Sequence, residues 1–396
     1  MRAWLVAIAL AGCGFKATPS ETGNGAPAGG GEPEAPPIDA PEPPPIEIDG
    51  APLDGAAAEV CLGSFVRVCV DPPLSATTLT QQANPSIDTG TSSLCVPYTS
   101  TPHVDACVIT GQSITIPPGN TISVIGRRPL ILFATGSITI SGVLDAASHQ
   151  GGASGPGNNL GCPTTGFTNP ADGGITGGGG WGGTFGTAGG NGGNGAAGSG
   201  GIAPPAFPPT TLRGGCPGSD GANGAGNGRG FHGRGGGAVA LLAAQTITID
   251  GTLNASGAAG RGADARGGLF NSTSGSGGGG GGSGGMIVLE AGAVNTPGKC
   301  FANGGGGGEG ATTSDGGDGH ESIAPDTAGD GGIGGADRGG DGGHGAFGTT
   351  GSAPGGNGSA NSGGGGAGGG GAGVIKVIAP MQSNTGDTTK LAPRPS

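Results

Sequence analysis

Glycine recurs at every third position from Gly177 to Gly201 and again from Gly339 to Gly351, and no other feature restricts the folding of this chain as much. Glycine brings no side chain to bury, and it loses more backbone freedom on ordering than any other residue. Such a tract either stays disordered or packs through its own backbone. Three residues is the repeat of an extended threefold helix. A collagen triple helix also places Pro between the glycines, and these two runs contain none. Two readings remain open: a disordered loop, or a bundle of threefold helices packed at their Gly faces and hydrogen-bonded to one another. The Asn, Ser and Thr residues between the glycines suit either.

A second repeat surrounds these tracts. Pro129-Leu130-Ile131-Leu132-Phe133-Ala134 leads to Ile138-Thr139-Ile140-Ser141-Gly142-Val143-Leu144-Asp145. At the same spacing, Ala238-Val239-Ala240-Leu241-Leu242-Ala243 leads to Ile247-Thr248-Ile249-Asp250-Gly251-Thr252-Leu253-Asn254. A weaker copy begins at Met286 and reaches Cys300, a half copy runs Val374–Ala379, and Ile114-Thr115-Ile116 with Ile122-Ser123-Val124 forms an earlier turn. Alternating apolar, β-branched residues mark half-buried strands. One unit recurring along a chain means stacking, because no single copy buries enough surface alone. The expected fold is all-β: a short parallel β-helix or β-solenoid over 114–380, interrupted by Gly-rich insertions at about 147–237, 257–285 and 303–373. Stacking sets Ile138 over Ile247 and Leu144 over Leu253, with Cys300 at the same inward place. Strands of a conventional sandwich are the competing architecture.

The N-terminus reads as an address. Met1-Arg2 is followed by the apolar run Ala3–Leu10 and then Leu10-Ala11-Gly12-Cys13. The run is far shorter than the ~20 residues that span a bilayer, so it reads as a signal segment. Its end resembles the lipobox of bacterial lipoproteins. The resemblance implies removal of residues 1–12 and lipidation of Cys13, with a membrane as the first partner. Several acyl chains at ~0.8 kcal/mol per buried CH₂ give a stable anchor. From residue 13 to 58 the chain is rich in Pro and in Glu and Asp. Pro-rich chain extends at ~3.1 Å per residue, which makes this a disordered stalk reaching on the order of 100 Å. Residues 381–396 form a C-terminal tail.

Composition narrows the function. Charged residues are 11% of the chain, and the net charge is −12, which disfavours nucleic acid, since phosphate binding needs clustered Lys and Arg. Eight cysteines at irregular distances fit an oxidising compartment. With Cys13 lipidated and Cys300 a buried free thiol, six remain. Cys162 and Cys216 bracket the first insertion and are paired as a clasp. Cys61, Cys69, Cys95 and Cys107 staple a cap over 59–113, with their connectivity open.

Several motifs imitate chemistry. Gly281-Gly282-Ser283-Gly284-Gly285 matches G-x-S-x-G, but the nucleophile elbow needs a strand before the Ser and a helix after it. In the acidic stretch from Asp315 to Asp341, Gly331-Gly332-Ile333-Gly334-Gly335 places Ala336 where a calcium-binding nonapeptide has Asp, and Asp337 comes one place late. Asp315, Asp318, Asp330 and Asp341 could offer weak divalent binding; a solvated acidic loop is the plainer reading. Arg229-Gly230 and Arg234-Gly235-Gly236 imitate RNA-binding segments. His103, His149, His232, His320 and His344 show no ligand spacing. Asp145 over Asn254 and Ser141 over Asp250 give outward rows without a basic partner, weak support for a polysaccharide-cleaving β-helix. Thr115, Thr139 and Thr248 could stack into an outward row of the kind ice-binding solenoids carry. No catalytic residue, cofactor site or metal site is predicted.

Taken together, the lipobox, the Pro-rich stalk, the Ile-Thr-Ile-x-Gly-x-Leu unit and the Gly block ending Gly371-Ala372-Gly373-Val374-Ile375-Lys376-Val377 resemble a family of Gly-rich envelope lipoproteins from gliding soil bacteria. The Gly tracts are similar to the polyglycine-II bundles of some phage adhesin tips and Gly-rich antifreeze proteins. The resemblance implies a non-enzymatic outer-membrane protein, periplasmic or at the cell surface. Its role would be structural or adhesive, with surface polysaccharide or envelope proteins as partners. A carbohydrate-binding or polysaccharide-cleaving β-helix is the alternative.

Overall fold

A computed structural model describes residues 58–99, 104–225, 228–265, 275–334, 339–359, 362–380 and 391–392. Cys13, the signal segment, the stalk up to residue 57 and most of the tail lie outside the described residues. The described chain is all-β, with no helix among the described residues.

Two sheets hold all the described strands except those of an N-terminal hairpin. The first holds β3 (Thr77–Thr78), β5 (Val96–Thr99), β6 (Asp105–Gly111), β7 (Ile114–Ile116), β9 (Leu130–Ala134), β10 (Ile138–Ile140), β12 (Ala238–Ile249), β14 (Met286–Asn295) and β16 (Val374–Ile378). The second holds β4 (Ser86–Asp88), β8 (Thr121–Ile125), β11 (Val143–Asp145), β13 (Thr252–Asn254), β15 (Lys299–Phe301) and β17 (Leu391–Ala392). Within them the pairings are parallel, apart from β5 against β6. Like residues stack on like. Ile114, Ile138 and Ile247 lie in register, as do Ile122, Leu144, Leu253 and Cys300. All of these are fully buried in one cluster.

Two boundaries differ from expectation. The segment 59–113 contributes rungs of its own: β3 pairs with β7, β4 with β8, and β6 lies on β9 with Cys107 beside Leu130. Its capping parts are β5 and the antiparallel hairpin of β1 (Val60–Leu62) and β2 (Val68–Val70). In the tail, β17 adds a parallel strand to β15.

The uninterrupted apolar runs have a physical cause. Leu130–Ala134, Ala238–Ala243 and Met286–Leu289 belong to a sheet buried on both faces, and such strands lose their polar alternation. Leu132, Leu241 and Leu289 face the inner core. Phe133, Leu242 and Val288 face a second core, covered by the hairpin residues Val66 and Val68 and by Phe185 and Leu212 of the first insertion. Glu290 fixes the hairpin by accepting hydrogen bonds from the Ser64 and Phe65 amides at 2.7 and 3.4 Å. In Ile138–Ile140 the middle Thr139 is only part-buried, so alternation returns.

Each Gly-rich insertion leaves after a strand of the second sheet (β11, β13 or β15) and re-enters at β12, β14 or β16. All three therefore hang from the same corner of the stack. One rung earlier, that corner is the short turn Gly126-Arg127-Arg128-Pro129. Gly126 has φ +112°, and a Cβ there would lie 2.5 Å from the Thr89 hydroxyl, so no other residue type fits.

Inside the insertions the backbone bonds at intervals of three residues. In the run 275–285, the amides of Gly277, Gly280 and Ser283 donate to Ala222, Ser219 and Cys216. Those of Gly278, Gly281 and Gly284 donate to Gly365, Gly368 and Gly371, and those of Gly279, Gly282 and Gly285 to Arg261, Ala258 and Ala255. Its carbonyls accept from three further runs: from Gly177, Gly180 and Gly183, from Gly230, Gly233 and Gly236, and from Gly305, Gly308 and Ala311. This run thus has six neighbours, three through its donors and three through its acceptors. Residues 275–289 are all buried. An unpaired buried amide or carbonyl costs about 1–3 kcal/mol, and here both groups have partners residue after residue.

Candidate functional site

One cluster of ionisable side chains joins the chain just after β11 to the third glycine-rich segment. Leu144 points inward, so its neighbour Asp145 points out, and the chain then turns to bring His149 back over it. His149 Nε2 lies 2.9 Å from Asp145 Oδ2, and Nδ1 lies 2.6 Å from Glu321 Oε2. Glu321 comes from the third insertion and also accepts a hydrogen bond from the Gln150 amide. Asn254 Nδ2 donates to Asp145 at 3.2 Å. The hydrogen bond to Asp145 first, and that to Glu321 second, outweigh desolvation and raise His149 from 6.5 to about 10. The ring is therefore an imidazolium at neutral pH with both N–H groups donating. It has no lone pair with which to act as a base, and it clasps the first and third insertions together.

The sign of this linkage is definite. A folded-state pKa above the unfolded one gives stability that is full below about 6.5 and lost as pH rises through about 10. Because the His149 side chain is 47% exposed, solvent screens the pair and the effect is modest. Raising the pH from 6 to 10.5 is expected to lower the unfolding midpoint of the wild type more than that of His149→Gln. Parallel pH profiles for the two proteins would contradict the assignment.

A neighbouring group uses Asp220, whose carboxylate meets His232 Nδ1 at 2.6 Å and Arg229 Nη2 at 3.2 Å. Burial alone would raise Asp220, but the side-chain and backbone hydrogen bonds from His232, with the charges of His232 and Arg229, leave it below its ordinary value. Arg234 donates to the Ser154 hydroxyl at 2.9 Å and to the Gly152 carbonyl at 3.3 Å. The two arginines of the RGG-like segment are thus engaged within the fold.

The other motifs take structural places. Ser283 is fully buried; its hydroxyl accepts from the Cys216 amide at 2.8 Å and donates to the Cys216 carbonyl at 3.2 Å. Asp315 and Asp318 accept from the amides of Ala265 and Gly262, tying the third insertion to the second. Gly335, Ala336 and Asp337 of the nonapeptide-like stretch lie outside the described residues. Among the described residues one His/Cys/Asp/Glu group is close enough to share an ion, Glu59 with Cys61 and Cys69, and both of its thiols are consumed in a disulfide. Thr115, Thr139 and Thr248 stack in register and are part-buried, and the row continues into Asn295. The row of Asp145 and Asn254 does have a basic neighbour: His149 occupies it.

The disulfides are Cys61–Cys69, Cys95–Cys107 and Cys162–Cys216. Cys300 is a buried free thiol that burial pushes up to about 12, which keeps it protonated and unreactive.

Sequence reasoning missed a cleft of about 580 Å³ beside the first insertion, lined by Arg127, Arg128 and Arg213. No protein family, curated protein or solved structure matches this chain.

Proposed function

We propose that this is a lipid-anchored envelope protein with a structural or adhesive role and no catalytic activity of its own. The lipobox-like Leu10-Ala11-Gly12-Cys13 and the Pro-rich stalk support a tether that holds the folded part away from an outer membrane. On this reading the folded part is a short β-solenoid bearing a polyglycine-II-type bundle. The six-neighbour backbone bonding around 275–285 carries it. Hydrogen bonding on every side makes a stiff slab out of residues that have no side chains to pack. A stiff slab suits display or spacing. Several of its ionisable groups join one insertion to the next: His149 meets Glu321, and Asp315 and Asp318 accept from the second insertion.

Two experiments test the proposal. Metabolic labelling with a fatty-acid analogue is expected to mark the wild type and to miss Cys13→Ser; labelled Cys13→Ser would remove the anchor. Incubating the mature protein with a panel of polysaccharides is expected to give retention without new reducing ends or unsaturated products. Product formation would favour the polysaccharide-cleaving alternative.

A further inference from the structure

The chain is acidic, yet three arginines, Arg127, Arg128 and Arg213, line one cleft against a single carboxylate, Asp105. Arg127 and Arg128 sit on the tight corner between β8 and β9, the corner from which the later rungs throw out their insertions. Arg213 comes from the first insertion, three residues before the clasp Cys162–Cys216. Arg213 is 9% exposed, and its guanidinium lies 4.6 Å from the Phe185 ring centre and 4.8 Å from that of Phe207. Its Nη1 donates to the Leu160 carbonyl at 2.9 Å. Among the described residues no carboxylate lies within ion-pair distance of Arg213 or Arg127, while Arg128 is paired with Asp105 at 3.1 Å.

A buried cation without a counter-ion is costly, and aromatic faces offset only part of that cost. Burial lowers Arg213 to about 10, which still leaves it charged at neutral pH. The fold therefore maintains an under-compensated positive charge at the wall of an open cleft, with exposed Arg127 at its rim. Low-dielectric walls focus such a potential outward. A volume of about 580 Å³ lies within the usual range for small-ligand sites. The lining also offers apolar surface from Val104, Leu160 and Leu212.

We infer that this cleft binds carboxylate-bearing sugar units of an acidic polysaccharide. The planar guanidinium forks of Arg127 and Arg213 take the uronate carboxylate, and the apolar lining takes the C–H face of the ring. Guanidinium matches carboxylate in a two-point geometry that ammonium cannot reproduce. This deepens the adhesive reading above and rests on it for the class of partner.

The test uses the mature full-length protein with polygalacturonate, its fully methyl-esterified neutral form, and dextran sulfate, by titration calorimetry at low ionic strength. Expected are binding of polygalacturonate, affinity for the methyl ester weaker by about tenfold or more, and a similar loss in Arg127→Gln, of the size one ion pair gives. Arg213→Met is expected to lose as much. Should it fail to fold, exposed Arg127 decides the matter. Unchanged affinity in Arg127→Gln, equal binding of acid and ester, or no binding of polygalacturonate would overturn the site. Preference for dextran sulfate with polygalacturonate unbound would overturn the carboxylate assignment. Equal retention of acid and ester would leave the adhesive reading standing without this cleft, whereas new reducing ends would remove the non-enzymatic reading and leave the cleft to be judged by its variants.

Discussion

Gly281→Ala is expected to destabilise the folded protein by about 3 kcal/mol or more, a large effect for a single methyl group. The Gly281 amide donates to Gly368 and its carbonyl accepts from Gly183, while a Cβ would stand 2.1 Å from the Gly305 carbonyl oxygen. That oxygen belongs to backbone bonded elsewhere in the layer, so the methyl cannot be accommodated by turning a side chain. Neighbouring runs would have to separate, breaking hydrogen bonds whose groups stay buried. Gly351→Ala is the matched control. Nothing lies within 4 Å of its Cβ position, so the change is expected within about 1 kcal/mol, on the stabilising side through the unfolded chain. Urea unfolding of the two variants checks this; equal midpoints would mean that the glycine layer is loosely packed.

The second large effect belongs to the clasp. Cys162–Cys216 closes a loop with a sequence separation of 54, for which loop-closure entropy gives about 4 kcal/mol. The clasp also holds Cys216, whose amide and carbonyl both bond to the buried Ser283 hydroxyl. Replacing both cysteines with serine is expected to lower unfolding stability by about 2–5 kcal/mol. Replacing both avoids leaving a stray thiol. A double variant as stable as the wild type would show that the first insertion orders without its crosslink.

The rungs were legible because their chemistry is directional. Ile-Thr-Ile followed by Gly and an inward Leu states the period, the face and the corner at once, and the matched spacing of 138–145 with 247–254 states the stacking partner. Cys300 could be placed inward from Leu144 and Leu253 alone. The earlier rungs were harder. Thr77–Thr78 and Ser86–Asp88 are too short to carry a period, and the cysteine in Asp105–Gly111 reads as part of a cap although Cys107-Val108-Ile109 matches Leu130-Ile131-Leu132. The partners of each glycine run were not legible, since one Gly triplet looks like another and only the three-dimensional path decides which run lies beside 275–285. The clasp of His149 by Glu321, separated by 172 residues, and the placing of Arg127 and Arg213 along one cleft depend on that same path.

The glycine tracts are held by backbone bonds as firmly as the strands are. Amide hydrogen exchange on the mature protein, resolved over 275–285 and over β12, measures it directly. Protection in 275–285 is expected to be of the same order as in 238–249 and to be lost in the same cooperative step on heating. Exchange over 275–285 at the rate of an unstructured peptide, with β12 protected, would contradict it.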